Sequence, residues 1–190
     1  SKKMLYCSDS LVFTMDGGKQ YVVDKKMDVG HGGNIDLNNV YIINNGVDLD
    51  YFRIRENISY NDPDLDDKNI KCIVYTGSLG IANDIDRILD IAKLIKTPNI
   101  KFVIWGNGRK KPDLERRIND EHICNVVLKD SVDGNLIPAI LKKSFLTIVT
   151  QKDIQCDSLY GISSNKSFQY FAAGKPVVLL INAPFPNFDK

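Results

Sequence analysis

The sequence is short of most features that announce a function by themselves. Its four cysteines, Cys7, Cys72, Cys124 and Cys156, show no CxxC or comparable spacing, which leaves no zinc-finger or redox-dithiol pattern. Cys72 and Cys124 adjoin the apolar runs CIVYT and NVVLK, where a free thiol behaves as a small buried hydrophobe. All four are expected to be reduced, as in a cytosolic protein. The two histidines, His31 and His122, have no sequence partner for a metal pair or a triad and read as loop or surface residues. The single tryptophan, Trp105, closes an apolar run and is expected in the core rather than as a stacking platform. Twenty-five basic against 24 acidic residues leave a net charge of +1, so no whole-chain electrostatic case exists for nucleic acid or an anionic membrane. No apolar run approaches the ~20 residues of a membrane span, and the opening SKKMLYCSDSLVF lacks the apolar stretch of a signal peptide. A cytoplasmic location is the expectation.

What is present is a regular alternation. Seven short apolar runs occur: LVFTM (11–15), VYIIN (40–44), CIVYT (72–76), KFVIW (101–105), NVVLK (125–129), FLTIVT (145–150) and PVVLLI (176–181). Continuous rather than alternating hydrophobicity marks strands covered on both faces, as in a parallel sheet. Helix-period segments separate the last five. The clearest places Ile85, Ile88, Leu89, Ala92 and Ile95 on one face, with Asn83 and Asp86 as its capping pair. Others span about 113–120, 135–143 and 165–173, the last stopped by Gly174 with Pro176 beyond it. Repeated strand–helix units predict an α/β fold, a doubly wound, Rossmann-like, mostly parallel sheet with helices on both faces. The acidic stretch NISYNDPDLDDKN (57–69) reads as a solvated linker. It separates residues 1–56, too little for an independent core, from a domain over 70–190.

In open α/β sheets ligands sit at the carboxyl ends of strands. Three loops there carry signals: Gly77-Ser78-Leu79-Gly80, Gly106-Asn107-Gly108, and Gly161-Ile162-Ser163-Ser164-Asn165-Lys166 before the helix near 165. Glycine lets backbone approach a phosphate, and the helix start offers free N–H groups. A tight strand-to-helix turn explains either glycine pair equally well without a ligand. Gly106-x-Gly108 is not a full GxGxxG, because Lys111 takes the third position, and the P-loop lysine motif is missing. Lys166 is more informative, since a cation in a first helical turn opposes the macrodipole unless an anion docks there. The alternative is that its stem reaches solvent. The cluster Arg109, Lys110, Lys111, Arg116 and Arg117 reads as a solvated helix face, with no interleaved aromatics.

Taken together, these segments resemble a known family. GISSNKSFQYFAAGKPVV (161–178) is similar to the donor-site signature of GT-B glycosyltransferases, in particular family 4. VYIINNGVDLDYF (40–52), YTGSLGIANDIDRILDIA (75–92) and FVIWGNGRKKPDLE (102–115) resemble further segments of that family in the same order. The resemblance covers about residues 40–182. It implies a nucleotide-sugar donor site in which the Gly77–Gly80 loop approaches the diphosphate. The helix start at 163–166 would hold phosphates or sugar, Gln169 the ribose, and the backbone around Leu128, Lys129 and Asp130 would edge the base. It further implies a retaining transferase of bacterial surface polysaccharide biosynthesis that uses the nucleotide sugar as co-substrate, without a cofactor or bound metal. The acceptor, a glycan or lipid-linked glycan, would bind a first lobe of which 1–56 is the remnant, and the whole enzyme could sit peripherally on the inner face of the membrane.

Two departures stand out. The family's paired glutamates would fall at 161 and 169, where this chain has Gly161 and Gln169. The first glycine loop also lacks the family's basic residues, which leaves Lys166 as the available phosphate partner. The chain is expected to be a fragment that ends short of the donor domain's last helices and is inactive alone. Rival readings are a degenerate GT-B domain kept for protein contacts, and a GT-B nucleotide-sugar epimerase.

Overall fold

The computed structural model describes residues 2–183; residues 184–190, the end of the expected donor domain, lie outside the described residues. In chain order the first elements are α1 (Lys2–Tyr6), β1 (Leu11–Phe13), α2 (Gly18–Asp24), β2 (Val40–Ile42), α3 (Leu49–Arg55) and α4 (Pro63–Asp66). Then come β3 (Lys71–Thr76), α5 (Ile85–Leu94), β4 (Ile100–Trp105), α6 (Lys111–Asp120) and β5 (Val126–Lys129). The last are α7 (Ile137–Lys143), β6 (Leu146–Thr150), α8 (Gln155–Tyr160), α9 (Asn165–Ala172) and β7 (Val177–Leu180). All seven apolar runs contain strands and the four helix-period segments contain α5, α6, α7 and α9, each shifted by a few residues.

Two compact units form. The larger comprises Val47–Lys152 and Asn165–Ile181. Its five strands run parallel in the order β5-β4-β3-β6-β7. Later strands add outward on both sides of β3, so the switch in strand order falls between β3 and β6, where such sheets bind ligands. Each strand feeds both faces. Tyr75, Phe102, Ile104 and Ile148 pack with Ile85, Ile88, Leu89 and Leu114 on one side. Val74, Val103, Trp105 and Val149 pack with Phe52, Ile140, Leu141 and Tyr170 on the other. Two-sided burial is the physical reason for the unbroken hydrophobic runs. Trp105 is core, as expected.

The smaller unit comprises, among the described residues, 2–46, Asp153–Ser164 and 182–183. Its two strands pair in parallel, Leu11 opposite Val40 and Phe13 opposite Ile42. Val22, Met27 and Ile35 complete a small core with Leu11 and Val40. Helix α8 is held at Gly17, whose N–H donates to the Tyr160 carbonyl at 2.9 Å. A Cβ at Gly17 would lie 2.4 Å from the Tyr160 Cα, so no side chain fits there. The Tyr160 hydroxyl donates to Asp24 at 2.9 Å. His31 Nδ1 lies 3.0 Å from the buried Asp28 carboxylate, so this histidine has a structural partner.

These units break after Gly46 rather than at the acidic stretch, and α3 packs with the larger sheet through Phe52. Nor is the stretch a solvated linker. Asp62 is 6% exposed and caps α4 by accepting from the N–H groups of Asp64 and Leu65, with Pro63 in the first turn. Lys129 reaches Asp62 at 2.5 Å and Asp64 at 2.7 Å, Lys101 reaches Asp64 at 2.8 Å, and Lys143 reaches Asp66 at 2.5 Å. Aspartates that look solvated in sequence are docked on three lysines distant in the chain. Burial alone would raise the Asp64 pKa, but hydrogen bonds from Lys101 and Lys129 hold it below the ordinary range.

Three smaller expectations also change. Asn83 does not cap α5: Asp84 precedes the helix in the left-handed conformation, with no side-chain cap. Cys124 is exposed, while Cys72 is buried and its thiol is pushed up to about 11, chiefly by that burial. Four of the five basic residues at the start of and along α6 are tied into ion pairs rather than simply solvated, while Arg109 is exposed. Arg117 alone meets Asp86, Asp90 and Glu121. Hydrogen bonds from Arg117 and then Lys93 bring the exposed Glu121 down to about 2.

Candidate functional site

The loops after β3 and β4 lie side by side at the carboxyl end of the large sheet. Gly77 N–H donates to the Trp105 carbonyl at 3.0 Å, Leu79 N–H to the Asn107 carbonyl at 2.8 Å, and Lys110 N–H to the Leu79 carbonyl at 3.0 Å. A Cβ at Gly106 would sit 1.9 Å from the Gly77 carbonyl oxygen, and one at Gly108 2.5 Å from that of Leu79. Contact between the two loops therefore accounts for both glycines, and the ligand-free explanation holds for this pair. Gly77 is different. Its φ of +151° is as unfavourable for a side chain as the +156° of Gly108, but a Cβ at Gly77 would face not the neighbouring loop but the Tyr75 hydroxyl at 3.2 Å and Lys166 Nζ at 3.4 Å. Gly80 has ordinary backbone angles.

Between these loops and the start of α7 lies an open cavity of about 260 Å³, lined by Thr76 to Ser78, Trp105 to Asn107, Ser131, Val132 and Ile137. A larger cavity of about 470 Å³ sits at the opposite, amino end of β3 and β4, around Ile70, Ile100 and Ile123. Its lysines 93 and 101 are neutralised by Glu121 and Asp64. The smaller cavity lies past the carboxyl ends of β3, β4 and β5, the end of the sheet at which such folds bind ligands.

Lys166, in the first turn of α9, returns to the Gly77 loop. Its ammonium donates to the Tyr75 hydroxyl at 2.9 Å and to Asn83 Oδ1 at 2.6 Å, and it lies 4.7 Å from the centroid of the Tyr75 ring. Among the described residues no carboxylate pairs with it. Burial pushes its pKa down to about 8. A half-buried cation held only by neutral groups beside a glycine loop is an incomplete electrostatic arrangement, which an anion would complete.

The loop itself is held from both faces of the sheet. On one, the Tyr75 hydroxyl donates to the Ser78 carbonyl at 2.9 Å. On the other, the wholly buried Tyr170 hydroxyl accepts from Thr76 N–H at 2.7 Å and donates to the Thr76 carbonyl at 3.1 Å. Its burial pushes the Tyr170 phenol up to about 12. Thr150 Oγ1 donates to the Asn83 carbonyl at 2.6 Å, fixing the residue whose side chain meets Lys166.

Of the expected site residues, Gly77, Ser78, Gly106 and Asn107 line the cavity, Lys166 contacts its glycine loop, and Gly108 packs behind it. The Leu79 side chain is fully buried in the core. The Lys129 side chain is also engaged elsewhere. Its ammonium is taken by Asp62 and Asp64 and lies 5.2 Å from the Trp105 ring, while its carbonyl accepts from Gly106 N–H. Ser163 and Ser164 fall in the smaller unit, where Ser163 accepts from Asn45 N–H at its hydroxyl and from the Asn45 amide at its carbonyl. Asn165 opens α9, and Gln169 lies half-buried on it. Sequence reasoning missed Tyr75, Asn83 and Tyr170, and also Ser167, whose buried hydroxyl finds no partner among the described residues. Nothing in CIVYT or SFQYF distinguishes a tyrosine that packs from one that also positions a loop.

No family model matches the chain. Over 99 residues it is 27% identical to the putative colanic acid biosynthesis glycosyl transferase WcaI of Escherichia coli (strain K12), covering 52% of this chain and 24% of that protein. Among solved structures, Anabaena Alr3699/HepE in complex with UDP-glucose superposes with a TM-score of 0.67 at 14% identity, over 93% of this chain and 46% of that one. Trehalose-6-phosphate synthase OtsA gives 0.69 at 15% identity, over 94% and 46%. The five-stranded parallel unit and its flanking helices thus have the fold of one half of a GT-B enzyme. The chain spans about a quarter of the curated relative it matches and under half of either structure.

Proposed function

We propose that the chain is the donor-binding part of a GT-B glycosyltransferase, and that its larger unit binds a nucleoside-diphosphate sugar. The carrying observation is the Lys166 ammonium, uncompensated by any carboxylate among the described residues and set against Gly77 at the switch in strand order. In this reading the diphosphate meets Lys166 and the start of α9, so that its charge is balanced by the protein's own groups without a resident metal. The base and ribose occupy the cavity beside Asn107 and Val132, with Gln169 turned to the ribose. Transfer with retained configuration, to a glycan or lipid-linked acceptor of bacterial surface polysaccharide synthesis, belongs to the same proposal. It is supported by the motif order and by the likeness to the colanic acid enzyme. The smaller unit then derives from the acceptor lobe, and the whole enzyme works at the cytoplasmic face of the membrane. Among the described residues no helix is long and apolar enough to cross a membrane. Isothermal titration of the folded chain with UDP, GDP, ADP and TDP tests the reading. Micromolar binding of at least one is expected, and no binding better than millimolar to any of them would refute it.

A further inference from the structure

We propose that Tyr75 is the positioning residue of this anion site, its hydroxyl coupling the Lys166 ammonium to the backbone of the Gly77–Gly80 loop. The inference rests on the donor-site reading above and concerns how that site is held ready. The Tyr75 ring is fully buried in the apolar core with Leu79, Ile85 and Ile104. A phenylalanine would satisfy the same packing, so the hydroxyl is an added polar group that must find partners. Both of its partners belong to the site. It donates to the Ser78 carbonyl at 2.9 Å and accepts from Lys166 Nζ at 2.9 Å. Burial raises the phenol far above neutral pH, so it remains a proton donor to Ser78 throughout the working range.

The groups that fix the ammonium are the phenol oxygen, the Tyr75 ring and the Asn83 amide oxygen at 2.6 Å, and all are uncharged. A carboxylate in their place would hold the lysine equally well but would cancel the charge an incoming diphosphate needs. Tyr75 thus orders a flexible side chain during folding rather than during binding, and leaves its charge available. Because the same hydroxyl holds Ser78, lysine and loop move as one unit.

A double-mutant cycle tests this. Binding of the diphosphate held tightest among UDP, GDP, ADP and TDP is measured at pH 7 for the wild type, Tyr75→Phe, Lys166→Met and the double variant, each checked for cooperative thermal unfolding. Tyr75→Phe is expected to unfold cooperatively and to weaken binding about five- to tenfold. The double variant is expected to bind no more weakly than Lys166→Met alone, because Tyr75 acts through the lysine. Unchanged binding by Tyr75→Phe, strictly additive losses, or loss of cooperative unfolding in Tyr75→Phe would each overturn the positioning role while leaving the donor-site reading standing. Failure of the wild type to bind any of the four would instead remove that reading.

Discussion

Replacing Lys166 by methionine should make the protein more stable and worse at binding, and the sign of the first effect depends on pH. In the folded chain burial holds this lysine at about 8, against an ordinary value of about 10.4. A gap of roughly 2.4 units at about 1.4 kcal/mol each means that carrying the charge in the folded state costs about 3 kcal/mol at pH 7. Methionine keeps the length of the apolar stem and removes that cost. It also leaves the Asn83 amide oxygen and one lone pair of Tyr75 without their donor, a loss of about 1 to 2 kcal/mol. A net gain of about 1 to 2 kcal/mol is therefore expected at pH 7, read from urea unfolding. The folded pKa is depressed, so between about pH 8 and 10.4 the unfolded wild type binds more protons than the folded one, and wild-type stability rises with pH. By pH 10 the charging cost falls below about 1 kcal/mol and the advantage of Lys166→Met disappears. A variant destabilised to the same extent at pH 7 and pH 10 would refute the reasoning. So would a wild-type stability that does not rise over that interval relative to the variant.

Nucleotide binding should follow the same proton in the opposite sense. Wild-type affinity should fall about tenfold between pH 7 and pH 9, as the free lysine loses its charge, and Lys166→Met should abolish that slope in calorimetric titrations. Lys129→Met should leave diphosphate affinity within twofold, yet lower unfolding stability by about 2 kcal/mol at pH 7, because the nearly buried Asp62 loses its cation. That loss should shrink as pH falls through the depressed pKa of Asp64. Gly106→Ala should both destabilise the chain by about 1 to 3 kcal/mol and weaken binding, since its methyl would strike the Gly77 carbonyl and push the loop out of place. Arg117→Met should return the Glu121 carboxyl from about 2 toward its ordinary value in an NMR pH titration. Gln169→Glu should strengthen diphosphate binding severalfold if its side chain meets the ribose hydroxyls. Weaker binding would place it against the phosphates instead.

How much of this was legible follows from which interactions are local. Runs such as CIVYT and KFVIW are apolar at every position because their strands are covered on both faces, and that pattern needs no knowledge of partners. Gly174, at φ +63°, ends α9 where a residue without a Cβ is easiest to place. The acidic stretch at 57–69 misled for the converse reason. Its aspartates look solvated until Lys101, Lys129 and Lys143, far along the chain, are brought against them. The same contact occupies the Lys129 ammonium. The spacing of Asn83 to Asp86 predicts a helix cap, but a lysine 83 residues further on claims the Asn83 side chain.

The sequence by itself determined the parallel α/β class, the strand and helix order, and the glycine loops that had to lie at one end of the sheet, because periodicity and backbone freedom are properties of neighbouring residues. Only the tertiary structure decided which of those glycines serve loop-to-loop packing and which faces a cation. It also decided that two core tyrosines hold the loop in place, and that Lys166, unlike Lys129, is paired with no carboxylate among the described residues. Those outcomes depend on which distant groups share a few ångströms of low-dielectric space, and no local pattern records that.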